Sequence, residues 1–323
     1  MMRSRILPAG EDRLCNRAAS RRRPQARWHR LVRCLAWPSL MLPLAGCAGG
    51  PLDPHGPISA ALKSILFNSV FVMLLIVVPT IALGLFCAWW YRASNPRARY
   101  QPDFTHSGRV ELVIWSGPVL IILLLSGVIW IGSFSLDPAK PLVSDKKPLE
   151  VQVVSLDWKW LFIYPEQNIA SVNDLVIPED TPVHFSMTSA SVMNTLYIPQ
   201  LAGMVYVMNG MATQLNLQAD NPGDYVGRSG HFSGDGFSDM QFTTHAVPAD
   251  DFDSWVTKVQ QDGPALDIPG YRELSRQSQN IAPFTYRSAE PGLFEAVVRQ
   301  HIPPGPGPEQ GRGSPEIHPQ ARR

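Results

Sequence analysis

The chain has 323 residues and a formal net charge of +1, from 28 lysines and arginines against 27 aspartates and glutamates. This balance lacks the strong basic excess that is typical of nucleic-acid-binding proteins. Charged residues make up 17% of the chain, compared with about 25% in typical soluble domains. Two long apolar blocks account for the difference, so the composition predicts a membrane protein with an additional water-exposed part.

Residues 1–46 have the pattern of a lipoprotein-type signal peptide. Arginines are frequent as far as residue 33, residues 34–46 carry no charge, and Cys47 follows. A basic segment, a short apolar segment and a small-residue cleavage site define a secretory signal. The Leu-Ala-Gly-Cys sequence that ends at Cys47 resembles the lipobox of bacterial lipoproteins, which implies cleavage before this cysteine and attachment of lipid to its thiol. A chance match in an N-terminal arm is the alternative.

Two transmembrane helices are predicted within residues 66–136, after a periplasmic lead at 47–65. Residues 64–91 and 112–136 contain no charged side chain. At 1.5 Å per residue, both stretches are long enough to cross a hydrocarbon core of about 30 Å. Tryptophans near their ends are typical of the membrane interface.

The connecting loop, 91–110, indicates the orientation of these helices. It carries four arginines but Asp103 as its only acidic residue before Glu111. By the positive-inside rule this loop is cytoplasmic, so both ends of the mature chain are expected in the periplasm. A lipid on Cys47 would anchor the chain on the same outer side. The predicted location is therefore a bacterial inner membrane, crossed twice.

A periplasmic domain is predicted over residues 149–260. Short runs rich in β-branched and aromatic residues alternate with Pro, Asn, Asp and Gly, a spacing that is typical of a β-sandwich. The runs are 149–164, 174–178, 182–189, 194–199, 213–219 and 240–247. In the first run, Trp158 and Trp160 are two apart and are expected on one face of a single strand.

The remaining segments are a helix, a mixed region and a tail. Apolar residues at helical spacing predict a helix over 249–261, and 261–302 is expected to form a mixed, partly helical extension. The Pro- and Gly-rich residues 303–323 predict a disordered tail. Because no cysteine follows Cys87, the periplasmic domain has no disulfide and no thiolate metal site.

The two membrane helices, the outward sandwich and the lipobox together resemble subunit II of haem–copper respiratory oxidases. Residues 154–167 resemble the aromatic segment that opens the cupredoxin domain of that subunit. Residues 193–199 resemble the stretch that holds its first copper-ligand histidine, and 227–240 resemble its copper-ligand loop. The resemblance implies a two-helix transmembrane hairpin followed by an all-β, cupredoxin-like sandwich.

The copper-ligand positions of this family are replaced in the present sequence. Cytochrome c oxidases have a loop of the form Cys-x-x-x-Cys-x-x-x-His-x-x-Met, whose sulfur ligands suit copper. Met240 alone retains a ligand type, and a lone thioether does not hold a binuclear centre. The comparison therefore implies that the chain binds no metal. The corresponding positions are Asn194, Ser229, His231, Ser233, Phe237 and Met240.

This loss resembles the quinol oxidase branch, the cytochrome bo type, in which electrons arrive from ubiquinol in the membrane. The resemblance implies that the chain is subunit II of a proton-translocating ubiquinol oxidase and supports the assembly and stability of subunit I. Haem and copper are then expected in subunit I, and ubiquinol is the substrate of the complex. Subunits III and IV and membrane lipid are the other expected partners.

Three further residues have roles suggested by the resemblance. Glu111 corresponds to a glutamate at the mouth of a proton channel that runs through subunit I, although a carboxylate at a membrane interface needs no special role. Trp158 and Trp160 fit either core packing or an aromatic interface with subunit I.

Other functions remain open from the sequence. The chain could be a copper-bearing cytochrome c oxidase subunit, against which the lost ligands argue. It could also be a free-standing lipoprotein with a cupredoxin-like binding module, such as a copper chaperone or an assembly factor. A different metal site is conceivable at two sets of residues, although the sequence favours surface positions for the first set and packing positions for the second. The sets are His184, His231 and His245, and Met204, Met208 and Met211.

Overall fold

The structure is a computed structural model that describes residues 50–99, 101 and 104–305. The predicted signal peptide (1–46), the lipidation site Cys47 and most of the predicted tail (306–323) lie outside the described residues.

Two long helices follow one another, α1 (Pro57–Trp90) and α2 (Gly108–Ser135). Both are long and apolar enough to cross a membrane, and their apolar side chains point away from the protein into the surroundings. The first helix begins within the predicted lead, because Pro57 fits the first helical position and Ser59 bonds back to the amide of Gly56 (3.2 Å). At the other end of α1, the Asn95 side-chain amide donates to the Trp90 carbonyl (2.6 Å).

A β-sandwich follows the helices, which confirms the predicted fold class. Its first sheet has the order β12-β3-β2-β1-β5-β8, and its second sheet has the order β4-β10-β9-β6-β7. The main core lies between the two sheets. The strands are β1 (Leu149–Leu156), β2 (Lys159–Tyr164), β3 (Ile169–Val172), β4 (Asp174–Pro178), β5 (Val183–Ser189), β6 (Asn194–Tyr197), β7 (Val205–Val207), β8 (Thr213–Leu217), β9 (Gly223–Ser229), β10 (Gln241–Val247), β11 (Ala265–Leu266), β12 (Phe284–Tyr286) and β13 (Ser288–Ala289).

The run 149–164 forms a hairpin, so the prediction of a single strand was wrong. Strands β1 and β2 pair antiparallel, with Leu156 opposite Lys159. Trp158 occupies the turn with a φ of 63°, a conformation that few residues other than glycine adopt. Trp158 and Trp160 therefore do not share one face of one strand.

The C-terminal extension packs on the outer face of the first sheet. Neighbouring residues of β1 point to opposite sides, so Val153 lies in the main core and Val154 in a second core. Residues of α4 (Ile268–Leu274) and α5 (Leu293–Val298) complete this second core, and β12 adds a strand to the sheet. The extension is thus a third layer. Helix α3 (Ala249–Gln261) has the predicted bounds and packs on the main core.

Candidate functional site

Five of the six copper-ligand positions lie between the end of β9 and the start of β10, in a segment here called the degenerate loop (residues 229–240), and the sixth, Asn194, begins β6. The loop lies beside β6, whose Leu196 is paired with Ser229. The Ser229 amide donates to the Met240 carbonyl (3.1 Å), which closes the base of the loop. The two ends of the loop are therefore brought together next to Asn194.

Asn194 and Ser229 are hydrogen-bonded to one another inside the protein. The Ser229 hydroxyl donates to the Asn194 side-chain carbonyl (3.3 Å), and the Asn194 amide donates to the Ser155 hydroxyl (2.8 Å). All three residues are buried. Buried polar groups are stable when they bond to one another, so this arrangement stabilises the fold.

The other positions are not joined to this network through their side chains in the described part of the chain. His231 is half-buried and lies edge-on to the ring of Tyr206, 6.1 Å between centroids. Phe237 packs against the exposed ring of Phe232 at 5.6 Å. Met240 is buried in the main core, and the buried Ser233 hydroxyl has no hydrogen-bond partner there.

This set of side chains does not fit a binuclear copper centre. The set offers one imidazole, His231, and one thioether, Met240, but no thiolate. The amide, the two hydroxyls and the phenyl ring at the other positions are not soft copper ligands. Within the described residues, no group of three or more His, Cys, Asp or Glu side chains is placed to hold a metal ion. His184 instead bonds to Asn216 (2.8 Å), and His245 contacts Asp174 (3.1 Å) and Asp224 (2.6 Å).

Both tryptophans singled out from the sequence are buried within this chain. The Trp158 indole nitrogen donates to the Ser233 carbonyl of the degenerate loop (3.1 Å). A side chain on Gly236 would lie 2.5 Å from the Trp158 ring, so glycine is needed for this close approach. Trp160 packs edge-on against Phe242 in the main core, 5.8 Å between centroids. Trp158 therefore holds the degenerate loop against the β1–β2 hairpin.

Glu111 lies in the first turn of α2, at the end of the helix that adjoins the 91–110 loop. Its carboxylate is 2.6 Å from the Nδ1 atom of His106. Both side chains are more than half exposed. The contact with His106 was not predicted from the sequence, because the two residues are five apart and only the path of the chain before the helix brings them together.

Lys159 is the buried cation of the sandwich. It lies at the start of β2 and is 1% exposed. Its ammonium group donates to the Arg276 carbonyl (2.6 Å) and to the Ser278 hydroxyl, so it ties the first sheet to the extension. Burial lowers the pKa of Lys159 to about 8, and the nearby Asp157 opposes this shift. Burial also raises the pKa of Asp174, which His245 partly offsets.

Two family profiles match the chain. The profile of the cytochrome c oxidase subunit II periplasmic domain matches residues 149–247, and the profile named COX Aromatic Rich Motif matches residues 260–305. The second match covers the extension that forms the third layer of the sandwich. The periplasmic part of the chain is thus matched along nearly its whole length.

Curated relatives match most of the chain. Ubiquinol oxidase subunit 2 of Acetobacter aceti is 48% identical over 265 residues, which cover 81% of this chain and 86% of that protein. Cytochrome bo(3) ubiquinol oxidase subunit 2 of Pseudomonas aeruginosa is 44% identical over 269 residues, with coverages of 83% and 81%. Among solved structures, the periplasmic domain of subunit II of cytochrome oxidase from Bradyrhizobium japonicum is 19% identical, with a TM-score of 0.35, and covers 37% of this chain and 98% of that one.

Proposed function

Because the chain belongs to the ubiquinol oxidase subunit 2 family, we propose that it supports the oxidase structurally and carries no redox centre of its own. The oxidase resemblance noted in the sequence is thereby confirmed, and the free-standing lipoprotein is set aside. In this role the chain binds haem–copper subunit I, together with subunits III and IV. Haem, copper and the ubiquinol-oxidising site then belong to those partners.

The observation that supports this proposal is the chemistry of the degenerate loop. Ser229 donates to Asn194, whose amide in turn donates to Ser155, and Phe237 offers no lone pair. Electrons that enter from ubiquinol in the membrane need no copper relay in the periplasmic domain. The loop therefore retains its structural contacts with Trp158 while its ligands are lost.

The test uses the oxidase complex purified through a tag on this chain. Oxygen uptake is measured in parallel with ubiquinol and with reduced cytochrome c, and copper is quantified relative to haem. Rapid uptake with ubiquinol alone is expected, and copper per haem should be the same in a Met240→Leu variant, which removes the one remaining ligand-type side chain. Uptake with cytochrome c, or copper that is lost in this variant, would contradict the proposal.

We also propose that Glu111 is a point of proton entry into the oxidase. The carboxylate lies at the cytoplasmic end of α2 in the predicted orientation, and His106 lies within hydrogen-bonding distance of it. A histidine and a carboxylate in contact can pass a proton between them near neutral pH. His106 would then act by collecting protons and orienting Glu111.

For the N-terminal region, we propose cleavage after residue 46 and lipidation of Cys47, with both mature ends in the periplasm of a two-pass inner-membrane protein. The lipobox and the arginine-rich 91–110 loop support this arrangement. The intact mass of the chain in the purified complex tests it. A mass that corresponds to residues 47–323 plus lipid is expected, and an unmodified or longer chain would contradict it.

A further inference from the structure

A groove lies where the first membrane helix meets the periplasmic domain. It has a volume of about 360 Å³. Leu62, Lys63 and Leu66 of α1 line one side. Tyr197, Pro199 and Met204, from the end of β6 and the loop that follows it, line the other side.

The two walls of this groove are held together by buried hydrogen bonds. The Ser59 hydroxyl donates to the Gln200 carbonyl (2.7 Å), and the His55 amide donates to the same carbonyl (2.8 Å). Gly56 packs so closely on the sandwich that a side chain there would lie 2.3 Å from the Gln218 carbonyl oxygen. The groove is therefore a fixed feature of the fold.

Lys63 marks the level of the membrane surface. It is the last charged residue before the 28 uncharged residues that end at Arg92. Its ammonium group has no hydrogen-bond or ion-pair partner within the described residues, although it lines the groove. Leu66 lies one turn farther along α1, on the same side and toward the hydrocarbon core. The groove thus runs from a cation at the surface to apolar side chains in the membrane.

We propose that this groove binds one phospholipid of the outer leaflet, with its phosphate at the Lys63 ammonium group and an acyl chain along Leu66. A lysine is a suitable partner for phosphate. The order of charged and apolar groups along the groove matches the order of headgroup and chain in that leaflet. A cavity of this size suits the headgroup and glycerol, while the exposed apolar side chains of Leu62, Leu66 and Met204 continue the contact.

A lysine that simply extends toward the membrane surface would not need a groove. Here Lys63 lies in a groove that Tyr197 and Pro199 also line, and the walls of this groove are packed as described above. The structure therefore fits a built binding site better than a lysine that only extends into water. A neighbouring oxidase subunit is the competing occupant of the same surface, and the experiment is designed to detect it.

The experiment measures phospholipid retained by the purified oxidase complex after extensive washing in mild detergent, by quantitative mass spectrometry referenced to haem. The variants are Lys63→Ala, which removes the cation, and Gly203→Leu, which fills the groove next to Leu62. Lys140→Ala is the matched control, because Lys140 is an exposed lysine just beyond the outer end of α2 and outside the groove. Haem content and subunit composition verify assembly in each case.

The wild type and Lys140→Ala should retain the phospholipid. Lys63→Ala should reduce retention about fivefold, the factor expected when roughly 1 kcal/mol of charge pairing is lost. Gly203→Leu should also reduce retention, because its side chain occupies the groove. Equal retention in all four complexes would overturn the proposal. A second measurement needs no variant that must assemble: photoactivatable phosphatidylglycerol in native membranes should label residues 57–66 of the wild-type chain. Absence of that label, or cross-linking of a photoreactive residue at Leu62 to a polypeptide, would also overturn it.

Discussion

The resemblance implies chemistry at two places, the degenerate loop and Glu111, and the side chains at these two places lie in opposite surroundings. Asn194 and Ser229 are buried, uncharged and bonded to each other. His106 and Glu111 are exposed, ionisable and in contact at 2.6 Å. A site that keeps its packing after losing its ligands has become part of the scaffold, whereas an ionisable pair left open to its surroundings can still exchange protons.

The largest effect is expected from disturbing the packing of the degenerate loop. In Gly236→Ala, the new methyl group would lie 2.5 Å from the Trp158 ring, and such overpacking costs about 1–3 kcal/mol of unfolding free energy. Thermal unfolding and the yield of the complex should both decrease, while turnover per haem stays unchanged. Gly50→Ala is the control, since nothing lies within 4 Å of its added carbon. Lower turnover per haem would mean that the loop takes part in electron transfer.

At the His106–Glu111 pair we expect the opposite result, in which turnover falls while assembly is unchanged. Glu111→Ala should lower turnover about tenfold, which corresponds to roughly 1.4 kcal/mol of barrier, while haem content and subunit composition hold. His106→Ala should lower turnover less and shift its pH profile. Asp137→Ala, at the other end of α2, is the control for loss of an exposed carboxylate next to the membrane. Unchanged turnover in Glu111→Ala would remove the basis for proton entry at this residue.

A smaller loss of stability is expected when the hydrogen bond between Ser229 and Asn194 in the degenerate loop is removed. Ser229→Ala deletes the donor to the Asn194 carbonyl, and the loss of such a hydrogen bond costs about 1 kcal/mol. Thermal unfolding of the complex should be slightly less cooperative or lower in midpoint, with copper and turnover per haem unchanged. Ser254→Ala on the exposed face of α3 provides the reference. Changed copper content in Ser229→Ala would show that this hydroxyl is a ligand.

The smallest change in stability at pH 7 is expected for Lys159→Met. Lys159 is ionisable like Glu111 but buried like Asn194. Its pKa is about 8 in the folded chain and 10.5 when exposed, so between these values the unfolded chain binds more protons. The stability that depends on this group should therefore rise with pH over that window and be lowest below it. Hydrogen exchange of the extension should slow with increasing pH, relative to intrinsic rates, in the wild type but not in Lys159→Met.

At pH 7 the Lys159→Met substitution should change the free energy of unfolding very little, because an apolar side chain of similar length replaces a buried charge. Lys159→Ala is the contrasting variant, since it also leaves a cavity and should destabilise the extension by about 2 kcal/mol. If hydrogen exchange of the extension depended on pH equally in the wild type and in Lys159→Met, the pH dependence would belong to other ionisable groups.

Regular segments of the fold were predictable from the sequence. The helix 249–261 and the strand 174–178 have the predicted bounds, because apolar spacing and flanking prolines define them locally. The hairpin turn was missed since tryptophan at position 158 gives no turn signal. Its left-handed conformation is stabilised by distant contacts with Ser233 and Gly236.

The third layer could not be predicted from local sequence patterns either. Strands β11, β12 and β13 have two or three residues each, too few to show a period. Strand β12 pairs with β3, where Phe284 lies opposite Val172 of a distant part of the chain, and β11 pairs with β13. In the candidate site, the identities of the lost ligands were readable from the resemblance, but the bonds that replace them and the contact with His106 required coordinates.

The third layer sets an order for biogenesis. The outer face of the first sheet carries Val154, Leu161 and Val172, which stay in contact with water until Phe294 and Val297 arrive to cover them. Because Phe294 and Val297 follow every strand of the sandwich in the sequence, the periplasmic domain can complete its folding only after residue 297 has been exported. Pairings between distant segments form slowly, so the half-covered sheet is the intermediate most exposed to aggregation and proteolysis. Truncations before residue 293 should therefore be removed by periplasmic quality control before they meet the other oxidase subunits.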